Sequence, residues 1–291
     1  MRSAARHWLW PLFVSASALA YLLAFARGAA EQAVMLVPLA QLAILFVCEG
    51  LIPADPAGTA RRDPKVGNDV GHIVLGNSLG NVASDGLVLA LTALLAGRLT
   101  AFAGGTLWPE SWPLAAQAAL VILLADGLDT LRHRWSHSSR WLWPIHAVHH
   151  AGDHLNITKA GKNHFLDPGL RGLLVYGPLA LLGAPPEALL AHPAAVSVLG
   201  PIGHANLDLV VPRWIHRWLM TPAVHQIHHA RSLELALHNY TNVFPLWDRL
   251  LGSFLDPSGA PRPPAGLEHD PNPPGFWAQV LAPLAVWRAR G

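Results

Sequence analysis

PLAAQAALVILLADGLDTLRHRWSHSSRWLWPIHAVHH, residues 113–150, is the stretch on which the fold turns. It opens as an uncharged apolar segment (113–125), passes two carboxylates (Asp126, Asp129) and runs into five histidines: His133, His137, His146, His149 and His150. A helix continuing through it carries a bilayer-spanning run directly into metal-ligand chemistry, with His133 and His137 about one turn beyond the hydrocarbon. The reading predicts an all-α integral membrane protein whose functional groups sit where the spans end.

Composition agrees. Only 13% of the 291 residues are charged, about half the roughly 25% of a soluble domain, which argues against a soluble enzyme. A net charge of +2 with 52% apolar residues excludes disorder. Although the pI is near 9.0, no Lys/Arg cluster forms the stripe that nucleic acid requires. The single cysteine, Cys48, excludes a disulfide framework, a zinc ribbon or a cysteine-held iron–sulfur cluster within one chain. Histidine is out of proportion: 17 residues against 18 Asp and Glu together.

Outward from the opening stretch, Trp8–Ala26 contains no charge and exceeds the apolar core of a signal peptide, so it reads as a span. Ala33–Pro53 is a second, and 84–97, extended backwards through 71–83, a third. Residues 169–203 are apolar but broken by Pro178, Pro185, Pro186 and Pro193, which predicts a short membrane hairpin. Arg2, Arg6, Arg61, Arg62 and Lys65 flank the first two spans on one side, against Arg27 and Arg98 on the other. The richer side is expected to be cytoplasmic, and four spans before Leu131 place both termini and the histidines there. The expected organisation is one membrane domain over 1–291: spans to 131, a histidine-bearing cap over 132–255, then a Pro-rich tail and an amphipathic helix, Phe276–Arg290, over 256–291.

The histidines fall into three boxes: His133-Arg-Trp-Ser-His137, His146-Ala-Val-His149-His150 and His225-Gln-Ile-His228-His229. The last two share HxxHH, a coincidence of probability on the order of 0.1% for randomly scattered histidines. On a helix, positions i, i+3 and i+4 share a face, so two imidazoles can converge on one ion while the third reaches its neighbour. Thr221-Pro222 supplies an N-cap and first turn before the third box, and Pro144 a first-turn proline before the second. Eight box histidines exceed one coordination sphere, so two ions are expected. Imidazole suits iron, zinc, copper and nickel alike; HExxH, the zinc-protease signature, is absent. Asp126 and Asp129, on the face of His133, are candidates to accept the free N–H of a ligand imidazole, and Asp248 is a third. Trp141, Trp143, Trp214 and Trp218 flank the boxes and read as interfacial belt residues.

These boxes, with Asp126-Gly-Leu-Asp129 before them and Asn239-Tyr240 and Trp247-Asp248-Arg249-Leu250-Leu251-Gly252 after, resemble the fatty acid hydroxylase/sterol desaturase superfamily over about Asp126–Ser253. The resemblance implies a di-iron centre that uses O2 and external electrons to hydroxylate or desaturate a lipid. It adds His164 and His204 as metal-ligand candidates. Phe165, Thr241 and Thr130-Leu131 depart from the family pattern, which leaves the substrate open. No GxGxxG, P-loop or second cysteine marks a flavin, nicotinamide or iron–sulfur module, so a reductase, ferredoxin or b5-like partner is expected to deliver electrons. The competing expectation is a non-catalytic membrane metal-binding or transport protein, which requires ionisable groups along the spans.

Overall fold

A computed structural model describes residues 2–288; the side chains of Arg2, Asn77 and Ala103 lie outside that description, as does Arg290 of the expected C-terminal helix. Four stretches form helices long and apolar enough to cross a membrane, and no strand forms among the described residues. The chain goes down through α1 (Arg2–Ala26), returns through α2 (Ala30–Leu51), and descends again through α3 (Val66–Leu75), a π-helical turn (Gly76–Gly80) and α4 (Asn81–Ala103). It comes back through α5 (Leu114–Ser138), which delivers His133 and His137. The third crossing is therefore one continuous helical run from Val66, as its apolar pattern suggested, and Arg98 lies inside α4 rather than in a loop. Leu12, Leu22, Met35, Leu36, Val82, Leu89 and Leu94 face outward, which suits a lipid solvent that offers no penalty for exposed apolar side chains.

The remaining helices are short. Around the second box runs α6 (Trp143–His150), followed by a 3-10 turn at Ile157–Gly161. The proline-broken region is a helical hairpin. Its first arm is α7 (Leu166–Arg171), a π-helical turn (Gly172–Tyr176) and α8 (Gly177–Leu182), and its second arm is α9 (Pro186–Leu189) and α10 (Ala191–His204). Its tip at Gly183, with φ +107°, lies against Thr106 and Trp108 in the loop between α4 and α5. The hairpin thus runs as deep as the last span, and α10 brings His204 back to the histidine end.

The tip is packed into an apolar cluster of Trp108, Val121, Ala125, Val175, Leu179, Ala184 and Ala188. A second cluster ties α1, α2 and α10 to the cap through Trp10, Phe13, Leu45, Ile157, Leu199, Ile202 and Met220. Between them Gln41 donates to Ser17 (2.9 Å) and accepts from Ser197 (2.9 Å), satisfying polar atoms that have no water to turn to.

The third box occupies α11 (Pro222–His228), and α12 (Leu233–Ala236) and α13 (Leu246–Leu250) follow. The tail is irregular but not loose. It pairs with the cap as a strap: Arg231 N–H donates to the Pro264 carbonyl (2.8 Å) and Gly266 N–H to the His229 carbonyl (3.1 Å). The last helix, α14 (Phe276–Arg288), packs on α3 and α6, where Gln279 meets His72 (3.1 Å).

Candidate metal centre

Nine histidines from four parts of the chain converge in two groups. His133, His137, His146, His150 and His228 form one; His149, His204, His225 and His229 form the other. The boxes interleave. Each i, i+4 pair (133/137, 146/150, 225/229) stays together, while the i+3 member of each HxxHH (His149, His228) crosses to the opposite group. Thr221 caps α11 by accepting from Val224 N–H (3.4 Å), and Pro144 occupies the second position of α6.

The contacts within the groups are between ring nitrogens. In the five-histidine group, His133 Nε2 lies 2.9 Å from His146 Nε2 and 3.0 Å from His228 Nε2, and His146 Nε2 lies 3.2 Å from His150 Nε2. In the other, His204 Nε2 lies 3.3 Å from His149 Nε2 and 3.0 Å from His225 Nε2. Metal–nitrogen bonds of about 2.1 Å place neighbouring ligand nitrogens roughly 3.0–3.4 Å apart in octahedral or tetrahedral arrangements. The observed spacing is that of ligands around an ion.

Tautomers sharpen the test. Four rings turn Nδ1 outward onto backbone carbonyls: His133 onto Tyr240 (2.6 Å), His228 onto His238 (2.9 Å), His149 onto Lys162 (3.2 Å) and His204 onto Gly200 (2.8 Å). A carbonyl only accepts, so each Nδ1 carries the proton, and in a neutral ring each Nε2 is a bare lone pair. Burial pushes His228 down to about 3, and burial with the neighbouring imidazoles holds His149 well below the usual histidine range, so these rings are neutral. The pairs 133/228 and 149/204 therefore point lone pair at lone pair, an arrangement that a cation held between them would satisfy. His137 Nε2 and His229 Nε2 are likewise buried without a hydrogen-bond partner.

His164 stands apart from both groups. Its Nε2 meets the Val280 carbonyl (3.0 Å) and its Nδ1 accepts from Leu166 N–H (3.3 Å), so it fastens α14 to α7 instead. The three candidate carboxylates do not touch a ligand ring. Asp126 accepts from Val243 and Phe244 N–H (3.0 and 2.8 Å). Asp129 takes Arg132 (2.6 Å), Arg171 (3.3 Å) and Asn242 (2.8 Å). Asp248 accepts from Tyr240 and Thr241 N–H (both 2.9 Å). All three pin the 240–244 turn, and it is the Tyr240 carbonyl of that turn that holds His133. Their influence arrives through this turn because their oxygens are already filled, those of Asp126 and Asp248 by its backbone and those of Asp129 by Asn242 and two arginines.

Other supports were not singled out from sequence. Lys162, whose carbonyl holds His149, is buried with its ammonium on Asp69 (2.9 Å) and the Ala151 carbonyl (2.9 Å); Lys159 pairs with Asp63 and Asp69 beside it. Glu49, at the end of α2, accepts from Ala60, Ile157 and Asn206 N–H. Charged residues in an apolar-rich chain were the available signal, since buried ions require partners. Trp141, Trp214 and Trp218 are exposed, in keeping with a belt.

Comparison with known proteins places this geometry. The fatty acid hydroxylase family matches residues 118–253, a span that contains all nine converging histidines. An ornithine lipid hydroxylase of Rhizobium tropici is 30% identical over 258 residues, 88% of this chain and 76% of its own. Alkylglycerol monooxygenases of Danio rerio and Caenorhabditis elegans are 28% and 27% identical over 137 and 148 residues, in each case 28% of their own length and 43% and 50% of this one. No solved structure matches the chain. With its histidine groups and this extent of likeness, the chain belongs to the fatty acid hydroxylase/sterol desaturase superfamily and is an oxygen-dependent oxidoreductase.

Proposed function

We propose that the protein is a membrane lipid hydroxylase whose two histidine groups hold one iron ion each. The observation that carries this reading is the facing of bare Nε2 atoms, 3.0 Å apart between His133 and His228 and 3.3 Å apart between His149 and His204, at the end of a spanning helix. Bound iron supplies the oxidising power to insert one oxygen atom of O2 into a C–H bond, with electrons from a separate donor protein. The chain's share is positional. Carbonyls of Tyr240, Lys162, Gly200 and His238 fix ring orientation, so that each Nε2 faces inward before a metal arrives. The strap over His229 and the packed cap shield the side away from the bilayer, while the lipid-facing spans admit an apolar substrate laterally. An N-terminus and cap on the cytoplasmic side suit this arrangement, because a soluble donor then reaches the centre. The names of the relatives, an ornithine lipid hydroxylase and alkylglycerol monooxygenases, favour a polar membrane lipid and hydroxylation over desaturation.

Purified protein in lipid nanodiscs decides it. Two irons per chain and reductant-dependent O2 uptake, with a lipid gaining about 16 mass units in cells that express the protein, support the reading. Bound zinc or copper that iron does not displace, with no O2 uptake under any reductant, sinks it; a loss of about 2 mass units turns hydroxylation into desaturation.

A further inference from the structure

We propose that Asp167 is the positioning residue for His146, giving the five-histidine group an anionic partner that the four-histidine group lacks. The inference rests on the metal reading above. In the five-histidine group, His133 and His228 hand their Nδ1 protons to carbonyls, but His146 does not: its Nδ1 is buried and without a hydrogen-bond partner. That atom faces Asp167 Oδ1 at 3.8 Å. A small ring rotation that closes the gap by about 0.8 Å reaches hydrogen-bond length. His146 has reason to turn that way, because its Nε2 already lies between those of His133 (2.9 Å) and His150 (3.2 Å), and binding through Nε2 puts the proton on Nδ1.

Asp167 is itself held for the task. Its backbone N–H donates to the His164 carbonyl (2.8 Å), setting the first turn of α7, and its Oδ1 accepts from Arg132 Nη1 (3.0 Å). Arg132 is anchored in turn by Asp129 (2.6 Å). Among the described residues, no carboxylate lies within ion-pair distance of His149, His204, His225 or His229. A carboxylate behind an imidazole raises its donor strength more than a carbonyl does. The two ions are therefore inequivalent, and the one in the five-histidine group holds its oxidised state more firmly.

The test compares iron binding, Mössbauer spectra and redox titration of the full chain in nanodiscs for wild type, Asp167→Asn, Asp167→Glu and Gln41→Leu. Asp167→Asn leaves Arg132 paired with Asp129, so the fold has reason to survive. The expected result is a weakening of one of the two iron-binding steps by about 10- to 100-fold, a higher potential for that ion alone, and recovery of both in Asp167→Glu. Gln41→Leu, which removes buried hydrogen bonds to Ser17 and Ser197 away from both histidine groups, is expected to lower thermal stability without a site-selective change. Should Asp167→Asn not fold, the double variant Asp167→Asn/Arg132→Gln removes both charges and carries the same expectation. Wild-type isotherms and potentials in a folded Asp167→Asn protein, or identical shifts in Gln41→Leu, overturn the inference while leaving the hydroxylase reading intact. Wild-type protein that takes up no iron overturns both.

Discussion

At the scale of single residues, a box histidine differs from any other histidine in what surrounds its two nitrogens. His228 has a carbonyl on one side and His133 Nε2 on the other, whereas His7 lies exposed on the first turns of α1 with its Nδ1 near the Ser3 carbonyl. His228→Ala and His149→Ala are each expected to abolish turnover and lower bound iron, and His7→Ala to change neither, as checked by iron analysis and O2 uptake. The rings also predict acid sensitivity. Burial pushes His228 from 6.5 to about 3, and holds His150, His225 and His229 well below their usual range together with the imidazoles beside them. Unfolded rings take protons near 6.5 while folded ones resist, so this stability is complete above about pH 6.5 and is lost as pH falls towards 3. Chelator-treated protein should melt at a lower temperature at about pH 5 than at about pH 7.5; an unchanged melting point would contradict the burial of neutral rings. Sequence disclosed the eight box histidines because helical spacing is written into it. It could not show that His133 and His149 rest on carbonyls, since every residue has one and only the fold selects Tyr240 and Lys162. Asp126 and Asp129 lay on the expected face, yet their oxygens went to the backbone of 243–244 and to arginines, a competition invisible in a helical wheel.

At the scale of elements, the pattern of spans, hairpin and cap was legible because apolar length and proline punctuation are local properties. The strap was not. Residues 256–274 read as irregular chain, and nothing local announces that Pro264 and Gly266 pair with Arg231 and His229. Gly266 makes the closest approach: its φ is +117° and a Cβ there would stand 2.4 Å from the Gly152 carbonyl oxygen. Gly266→Val is therefore expected to lift the strap, with the loss of two backbone hydrogen bonds worth about 0.5–1.5 kcal/mol each. Limited proteolysis should then cut within 256–274 faster than in wild type, and equal cleavage rates would mean that the strap is not held there.

For the whole molecule, the even number of candidate spans puts the loops at 27–29 and 104–113 at one end and the first turns of α1 with the histidines at the other. Single cysteines introduced at Arg27 and Gly105 into a Cys48→Ser background should react with an impermeant maleimide from the outside of intact cells, and one at Ser258 only after lysis; the reverse pattern would invert the topology. The sequence speaks to sidedness only through a charge bias, and these labels test it.

The centre is assembled from two kinds of support. His133 and His137 ride on α5, a helix long and apolar enough to span, and His204 on α10, which packs against α1, α2 and α5, whereas the other six converging histidines belong to the cap. How far those two helices protrude depends on the thickness of the surrounding lipid, which apolar helices match by tilting or by deforming the bilayer. Membrane thickness thus becomes a ruler against which His204 is set relative to His149 and His225. Turnover measured across vesicles of increasing acyl-chain length should pass through a maximum rather than follow substrate solubility, which would make the host membrane an adjustable part of the coordination sphere.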